Sequence, residues 1–210
     1  MTPVIACVVE GHGDVPSMRV LLRRLAHMHG LVDLQVPMPV RTPRSKLIRD
    51  DTVDQGELSR AIDLAARKLP STREGMVLVV IDADESCPAE VAPRIIGVAR
   101  KVRSDVRVGV VLPKCEFEAW FIAAIESLRG TRGIRADARP PDDPEAVRDA
   151  KGYLRTQMEP GTAYSEAVDQ PALADRFDLE QAMQCRSFRK LRTELEGFAR
   201  HVASPVPSGA

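Results

Sequence analysis

The chain is poor in aromatic residues, with one Trp, two Tyr and five Phe among 210 residues. No aromatic platform accompanies its basic segments, so recognition of single strands by base stacking is not indicated. It has no excess of charge either. Thirty Lys and Arg balance thirty Asp and Glu, and any nucleic-acid footprint must come from local patches. No apolar stretch approaches the roughly 18–20 residues of a membrane span. Met1-Thr2-Pro3 brings no basic segment before the first apolar run, so a cytoplasmic protein with no membrane partner is expected. The four cysteines, Cys7, Cys87, Cys115 and Cys185, contain no CxxC pair and match no zinc spacing, which favours reduced thiols. A redox role for Cys87 and Cys115 rests only on their expected places near strand ends.

What is present describes an ordinary globular chain, 44% hydrophobic and 29% charged. Its length suits one large domain or a core domain with an appendage. Two apolar runs stand out because each ends in carboxylates. Pro3-Val4-Ile5-Ala6-Cys7-Val8-Val9 leads into Glu10-Gly11-His12-Gly13-Asp14, and Met76-Val77-Leu78-Val79-Val80-Ile81 leads into Asp82-Ala83-Asp84. Continuous apolar runs of this length read as strands buried on both faces of a parallel sheet. Ligands bind beyond the carboxyl ends of such strands. Asp82 and Asp84 flank one small residue, so in extended backbone they point the same way. An oxygen-rich set of this kind suits Mg²⁺ or Mn²⁺. Acids after strands also cap helices, and Asp14, or Glu85 or Ser86 before Pro88, can serve in that way.

The remaining pattern alternates. A helix opens at residues 15–18, with Met18, Leu21, Leu22 and Leu25 on one face, followed by a strand at 32–36 and a Pro- and Arg-rich loop over 37–49. Helices are expected at 57–69, 88–102 and 115–128, and strands at 76–81 and 106–112. The resulting βαβαβαβα order marks an α/β sheet with crossover helices. Residues 130–144 read as a mobile surface loop. Helices are then expected at 144–155, 161–168, 170–176, 179–185 and 187–202, with 204–210 disordered.

These motifs carry a resemblance. Val9-Glu10-Gly11 with Asp82-Ala83-Asp84 resembles the Toprim fold of topoisomerases, bacterial primases, small recombination proteins and overcoming-lysogenization-defect nucleases. With Glu116-Phe117-Glu118-Ala119-Trp120 and Ser187-Phe188-Arg189-Lys190-Leu191, the chain more closely resembles a bacterial Toprim-like family of unknown function, numbered 4276. The resemblance implies a Toprim-like (Rossmann-like), mainly parallel four-stranded sheet with flanking helices at residues 1–129. It also implies a helical extension packed on that unit at 130–203 and a tail at 204–210.

On the same resemblance, Glu10 is a general acid/base or metal ligand, and Asp82 and Asp84 are the Mg²⁺-binding pair. Glu116 or Glu118 is the additional acid of the nuclease branch, with Glu118 preferred for catalysis. The implied activity is a Mg²⁺- or Mn²⁺-dependent nuclease or phosphotransfer enzyme on nucleic acid, in phage defence or mobile elements. Neither Tyr153 nor Tyr164 matches a topoisomerase nucleophile, which favours cleavage by activated water. Trp120 is expected to pack in the core.

Phosphate binding requires positive charge. His12 and Lys114 lie beside the acids in sequence, and each has an alternative reading as an ordinary loop or solvated residue. Arg41, Arg44, Lys46 and Arg49 form one basic segment, and Arg186, Arg189, Lys190 and Arg192 a second; either can equally be a solvated face. The expected substrate contacts are His12, Lys114, Arg44, Lys46, Arg189 and Lys190.

Two rival readings remain. A non-catalytic Toprim-like module would work with a partner ATPase. A haloacid-dehalogenase-like phosphatase would use Asp82 as its nucleophile, but it leaves Glu10 unexplained and lacks a downstream Gly-Asp pair. Gly11-His12-Gly13 does not continue into a dinucleotide fingerprint, because Pro16 stands at the third glycine position.

Overall fold

A computed structural model describes residues 2–49, 52–72 and 74–204. The expectation for the tail therefore lies, apart from Ser204, outside the described residues. β1 (Val4–Val9) and β5 (Gly75–Val80) are buried at every position, as their uninterrupted apolar sequences require. They pair in parallel with Val9 opposite Val80. β2 (Val40–Arg41) flanks β1, and β6 (Arg107–Val111) flanks β5. The sheet order is β2-β1-β5-β6, all parallel. The architecture is therefore α/β with a Rossmann-like parallel sheet between helices.

The sheet's two faces bury separate cores. Ile5, Cys7 and Val9 of β1 join Met76, Leu78 and Val80 of β5 under α1 (Asp14–Met28) and the later helices. Ala6, Val8, Val77 and Val79 face α3 (Gln55–Ala66) and α4 (Pro88–Val102) on the other side. The side-chain period of two along each strand produces this division. From β1 the chain crosses to β2 on one flank, then returns past β1 to β5 on the other. The reversal of strand order falls between β1 and β5, where doubly wound sheets open a crevice beyond their carboxyl ends.

Several boundaries differ from the sequence expectation. In the segment expected as a strand at 32–36, only Gln35 makes a bridge, to Val4; the ladder resumes as β2 at Val40. Pro37 and Pro39 lie between, and neither has an N–H to donate. The expected loop at 37–49 holds β2, a one-turn α2 (Arg44–Leu47) and β3 (Ile48–Arg49), which pairs antiparallel with β4 (Thr52–Val53). The helix expected from 115 starts four residues later as α5 (Ala119–Ala123), followed by a 3-10 helix at Ile125–Leu128. Cys115 has φ +61°, a left-handed value that a helix cannot include.

The segment 130–144 is tied down rather than loose. Ile134 bridges Met158, Arg129 donates to the Ala138 carbonyl, and Ile134 and Ala138 are fully buried. Beyond it come a 3-10 turn at Pro144–Ala146 and α6 (Ala150–Thr156). α7 (Glu166–Ala174) replaces the two helices expected at 161–168 and 170–176. A further 3-10 turn spans Gln181–Gln184, and α8 (Arg186–Ala203) closes the described chain. Among the described residues no helix is long and apolar enough to cross a membrane.

α7 lies close against the first turn of α1. A Cβ on Gly13 would stand 2.0 Å from Gln170 Oε1 and 2.6 Å from the Glu166 carbonyl oxygen, so only glycine permits this approach.

Candidate acidic centre

β1 and β5 deliver their acids side by side because the strands are neighbours in register. Glu10 follows Val9 directly, and Asp82 follows Val80 by two residues. The backbone amide of Asp82 is directed at the Glu10 carboxylate. Beyond Val80 the chain stays extended against the segment after β6: Ala83 N–H donates to the Pro113 carbonyl (2.8 Å), and Asp84 N–H donates to that of Cys115 (3.1 Å). This pairing brings Glu116 and Glu118 alongside the aspartate loop. Asp84 (φ +48°) and Cys115 (φ +61°) form the bridge, both in left-handed backbone. Such conformations cost on the order of 1–3 kcal/mol each and persist where the surroundings impose them.

Arg44 imposes part of that conformation. Its Nε donates to the Asp82 carbonyl (3.0 Å), and its Nη2 donates to the Ala83 carbonyl (3.0 Å) and to Ser86 Oγ (2.6 Å). The same guanidinium is 3.3 Å from Asp84 Oδ2. Asp14, at the start of α1, accepts from the Gly11 amide through Oδ2 and from Gln170 Nε2 through Oδ1, both at 2.7 Å. Its carboxylate thus closes the glycine turn and ties α1 to α7.

The two acids before α5 differ sharply. Glu116 Oε2 accepts from the backbone N–H of Lys151 (2.9 Å) at the start of α6. Glu118 is 1% exposed, and its Oε1 accepts from the Tyr164 hydroxyl (2.9 Å). Its Oε2 and Glu10 Oε2 are buried without a hydrogen-bond partner. Buried carboxylate oxygens in this state are costly and call for a cation or water.

The electrostatics agree. Burial pushes the Glu10 carboxyl up to about 7, with Asp84 and Asp14 adding to the shift. Burial likewise pushes Glu118 up to about 7. Asp82 is raised well above the usual carboxylate range by burial, then by Asp14, Glu118 and Glu10. One cation answers them from the helical half: Lys151, whose Nζ is 3.3 Å from Glu166 Oε1 and 3.6 Å from Glu116 Oε1. Burial alone would lower its pKa, yet Glu118, Glu166, Glu116 and Asp82 together raise it. Lys151 carries no motif in the sequence, lying in a helix that only the fold brings to the acids.

The residues fit a divalent cation by chemistry. The donors are all hard oxygens, two of them buried and unpartnered. Among the described residues, however, no three His, Cys, Asp or Glu side chains converge into a compact ion cage. Glu116 is turned to α6 and Asp84 to Arg44.

The basic residues divide into two regions. Lys46 lines a cavity of about 590 Å³ with Arg49, Asp54 and Glu57, so its charge is mixed. Lys114, Arg186 and Lys190 line another of about 400 Å³ with Cys87 and Leu112. Arg189 donates to the carbonyls of Met183 and Gln184, Lys190 pairs with Glu194, and Arg192 bridges Glu180 and Glu196. His12 is exposed on its turn.

Trp120 is fully buried, as expected, and donates from Nε1 to Ser187 Oγ (2.8 Å). Ser187 in turn donates to Glu145, whose carboxylate also accepts the backbone amides of Arg186 and Ser187. The Ser187-Phe188 pair thus anchors α8.

Fold and site together define an α/β protein with a partly buried acidic centre at the switch point of a parallel sheet. The chain belongs to the family described as domain of unknown function (DUF4276), whose model matches residues 9–196, from the first acid-tipped strand into α8. No curated protein and no solved structure gives a significant match.

Proposed function

We propose that the chain is a Toprim-type, Mg²⁺- or Mn²⁺-dependent nuclease acting on phosphodiesters of nucleic acid. The observation that carries this reading is the delivery of Glu10 and Asp82 from adjacent parallel strands to the same end of the sheet, with buried unpartnered oxygens on Glu10 and Glu118. Glu10 and Asp82, with Glu118 beside them, would offer oxygens to the ion, while Asp84 is held by Arg44 and Glu116 by the start of α6. Such an ion supplies Lewis acidity that offsets charge on phosphoryl oxygens.

The chain's own groups supply the rest. Glu10, poised near neutrality, holds or releases a proton at its carboxylate. Lys114 and Arg186, which line one cavity with Lys190, offer contacts to phosphates. Arg44 keeps the aspartate loop in place. No tyrosine is available as nucleophile: the Tyr164 hydroxyl is buried against Glu118 and raised by burial, and that of Tyr153 donates to the Arg139 carbonyl. Hydrolysis by water is therefore favoured over a covalent intermediate.

The test is incubation of the pure protein with plasmid, linear DNA, single-stranded DNA and RNA, with Mg²⁺ or Mn²⁺. Cleavage is expected to fall at least 100-fold in Glu10→Ala, on the order of the loss when an acid–base group is removed. One observation favours a second reading. Arg189, Lys190 and Arg192 are paired within the protein, which leaves α8 a weak positive surface. A metal-organising module that assists a partner ATPase in defence or mobile elements predicts binding without cleavage. The phosphatase reading is weaker, because an Asp82 carboxyl held above its usual range is a poor nucleophile.

A further inference from the structure

We propose that the cavity between α4, β6 and α8 is a binding site for a nucleoside monophosphate, free or at the end of a strand. The proposal rests on the nucleic-acid reading above and names a part of the substrate held apart from the acids. The cavity, of about 400 Å³, falls within the range of small-ligand sites. It takes in Val110 and Leu112 at the carboxyl end of β6, the end of the sheet where α/β folds bind ligands. It also adjoins the acidic loop in the chain. The two segments that bridge at Asp84 and Cys115 line it through Cys87 and Lys114.

The lining divides by chemistry. Pro88, Ala89 and Ala92 of α4 and Leu112 supply an aliphatic surface, while Lys114, Arg186 and Lys190 bring three cations. Glu145 is the one carboxylate there, and its oxygens are taken by the Arg186 and Ser187 amides and the Ser187 hydroxyl. Lys190 is held by Glu194. Lys114 and Arg186 differ: both are exposed, and among the described residues their side chains make no ion pair or hydrogen bond. An unengaged guanidinium beside an unengaged ammonium suits phosphate, which arginine meets with a two-pronged contact and lysine as a point charge.

Other occupants suit the cavity less well. A bare phosphate would leave the aliphatic surface in water. A peptide added as a strand would need the open backbone edge of β6, yet Val110 and Leu112 are only 2% and 5% exposed. Lys114 and Arg186 also line an adjoining cavity of about 550 Å³, together with the exposed Asp142 and Asp143. A phosphodiester continuing into that cavity would meet like charge. A phosphate that ends at the two cations is therefore preferred.

The wild type carries its own reporter, because Cys87 is exposed on the cavity while Cys7, Cys115 and Cys185 are buried. The probes are adenosine and thymidine 5′-monophosphate, added to the full chain in the presence of a chelator. Binding is measured by titration calorimetry, and alkylation of Cys87 by iodoacetamide is followed by mass spectrometry. At least one nucleotide should bind saturably and slow Cys87 alkylation several-fold. Its nucleoside and inorganic phosphate should each bind about tenfold more weakly or worse, because each lacks half of the contacts. Replacing both exposed cations, as Lys114→Gln with Arg186→Gln, should weaken nucleotide binding by about tenfold or more, as expected for losing charged hydrogen bonds. Oligonucleotides with and without a 5′-phosphate separate the two sources. Protection of Cys87 only by the phosphorylated strand, or only by the mononucleotide, upholds the site and identifies its ligand. No nucleotide binding, equal binding of inorganic phosphate or an acidic peptide, or unchanged affinity in the double variant overturns it. If Glu10-dependent cleavage is seen without Cys87 protection, the cavity proposal fails and the nuclease reading stands. Protection without cleavage of any substrate leaves the site and removes the nuclease.

Discussion

Glu118 is held where its surroundings favour a carboxylic acid over a carboxylate. Burial is the chief cause, and it raises the group from an ordinary 4.5 to about 7. A raised pKa means the folded state keeps its proton through the window in which the unfolded chain loses it. The contribution to stability is therefore complete below about pH 4.5 and is lost as pH rises toward 7. The shift corresponds to at most about 3 kcal/mol for this nearly inaccessible group. In the presence of a chelator, the melting temperature of the wild type should fall across that window. Glu118→Gln keeps the shape and can still accept from Tyr164, so its profile should be flatter, with the slopes owed to Glu10 and Asp82 remaining. Parallel profiles for the two proteins would refute this account. Glu10, Asp82 and Asp84 could be read from the sequence because each follows an apolar run whose strand identity is unambiguous. Lys151 could not: nothing in Ala150-Lys151-Gly152 distinguishes it until α6 folds against the centre. Nor could the choice between Glu116 and Glu118 be settled there, since both lie before one helix and only the packing turns Glu118 inward.

At the scale of elements, α8 depends on a residue more than 40 positions away. Glu145 accepts the first two amides of that helix and the Ser187 hydroxyl, and Ser187 accepts from Trp120. Glu145→Ala removes a helix cap, worth about 0.5–2 kcal/mol. It also leaves buried Ser187 with an unmet donor, at about 1–3 kcal/mol. A loss of roughly 2–4 kcal/mol is expected in urea denaturation, with little change in Mn²⁺ binding. A loss below about 0.5 kcal/mol would show that water replaces the cap freely. The long strands and α4 were legible because apolar runs and a Pro at the first helical turn are local signals. β2 was not, because Pro37 and Pro39 break its ladder and leave two paired residues. The two helices expected in place of α7 have a related cause: Pro171 suits the first turn of a helix and so marks a new start near 170, yet it lies inside α7.

At the scale of the molecule, the question is whether residues 1–129 can stand without residues 130–203. The sheet face formed by Ile5, Cys7, Met76 and Leu78 shares one continuous core with Leu154, Leu173, Phe177, Phe188 and Leu191. Phe121 packs edge-on against Phe177 (5.4 Å), and Trp120 against Phe188 (5.3 Å). Cutting the chain after residue 129 removes every one of those partners from the later half. Truncating even one such ring to Ala in a packed core costs about 3–5 kcal/mol, and a whole domain is stable by only about 5–15 kcal/mol. The fragment 1–129 is therefore expected to lack a cooperative thermal transition and to bind a hydrophobic dye, although β1, β5 and their acids are all present. Mn²⁺ binding should be lost with it, because Tyr164 and α7 no longer hold Glu118 and Asp14 in position. A fragment that melts cooperatively and binds Mn²⁺ with wild-type affinity would make the helical half an independent appendage. Absence of both properties would mean that the acid-tipped strands and the helices covering them form one folding unit, with the acidic centre at their seam.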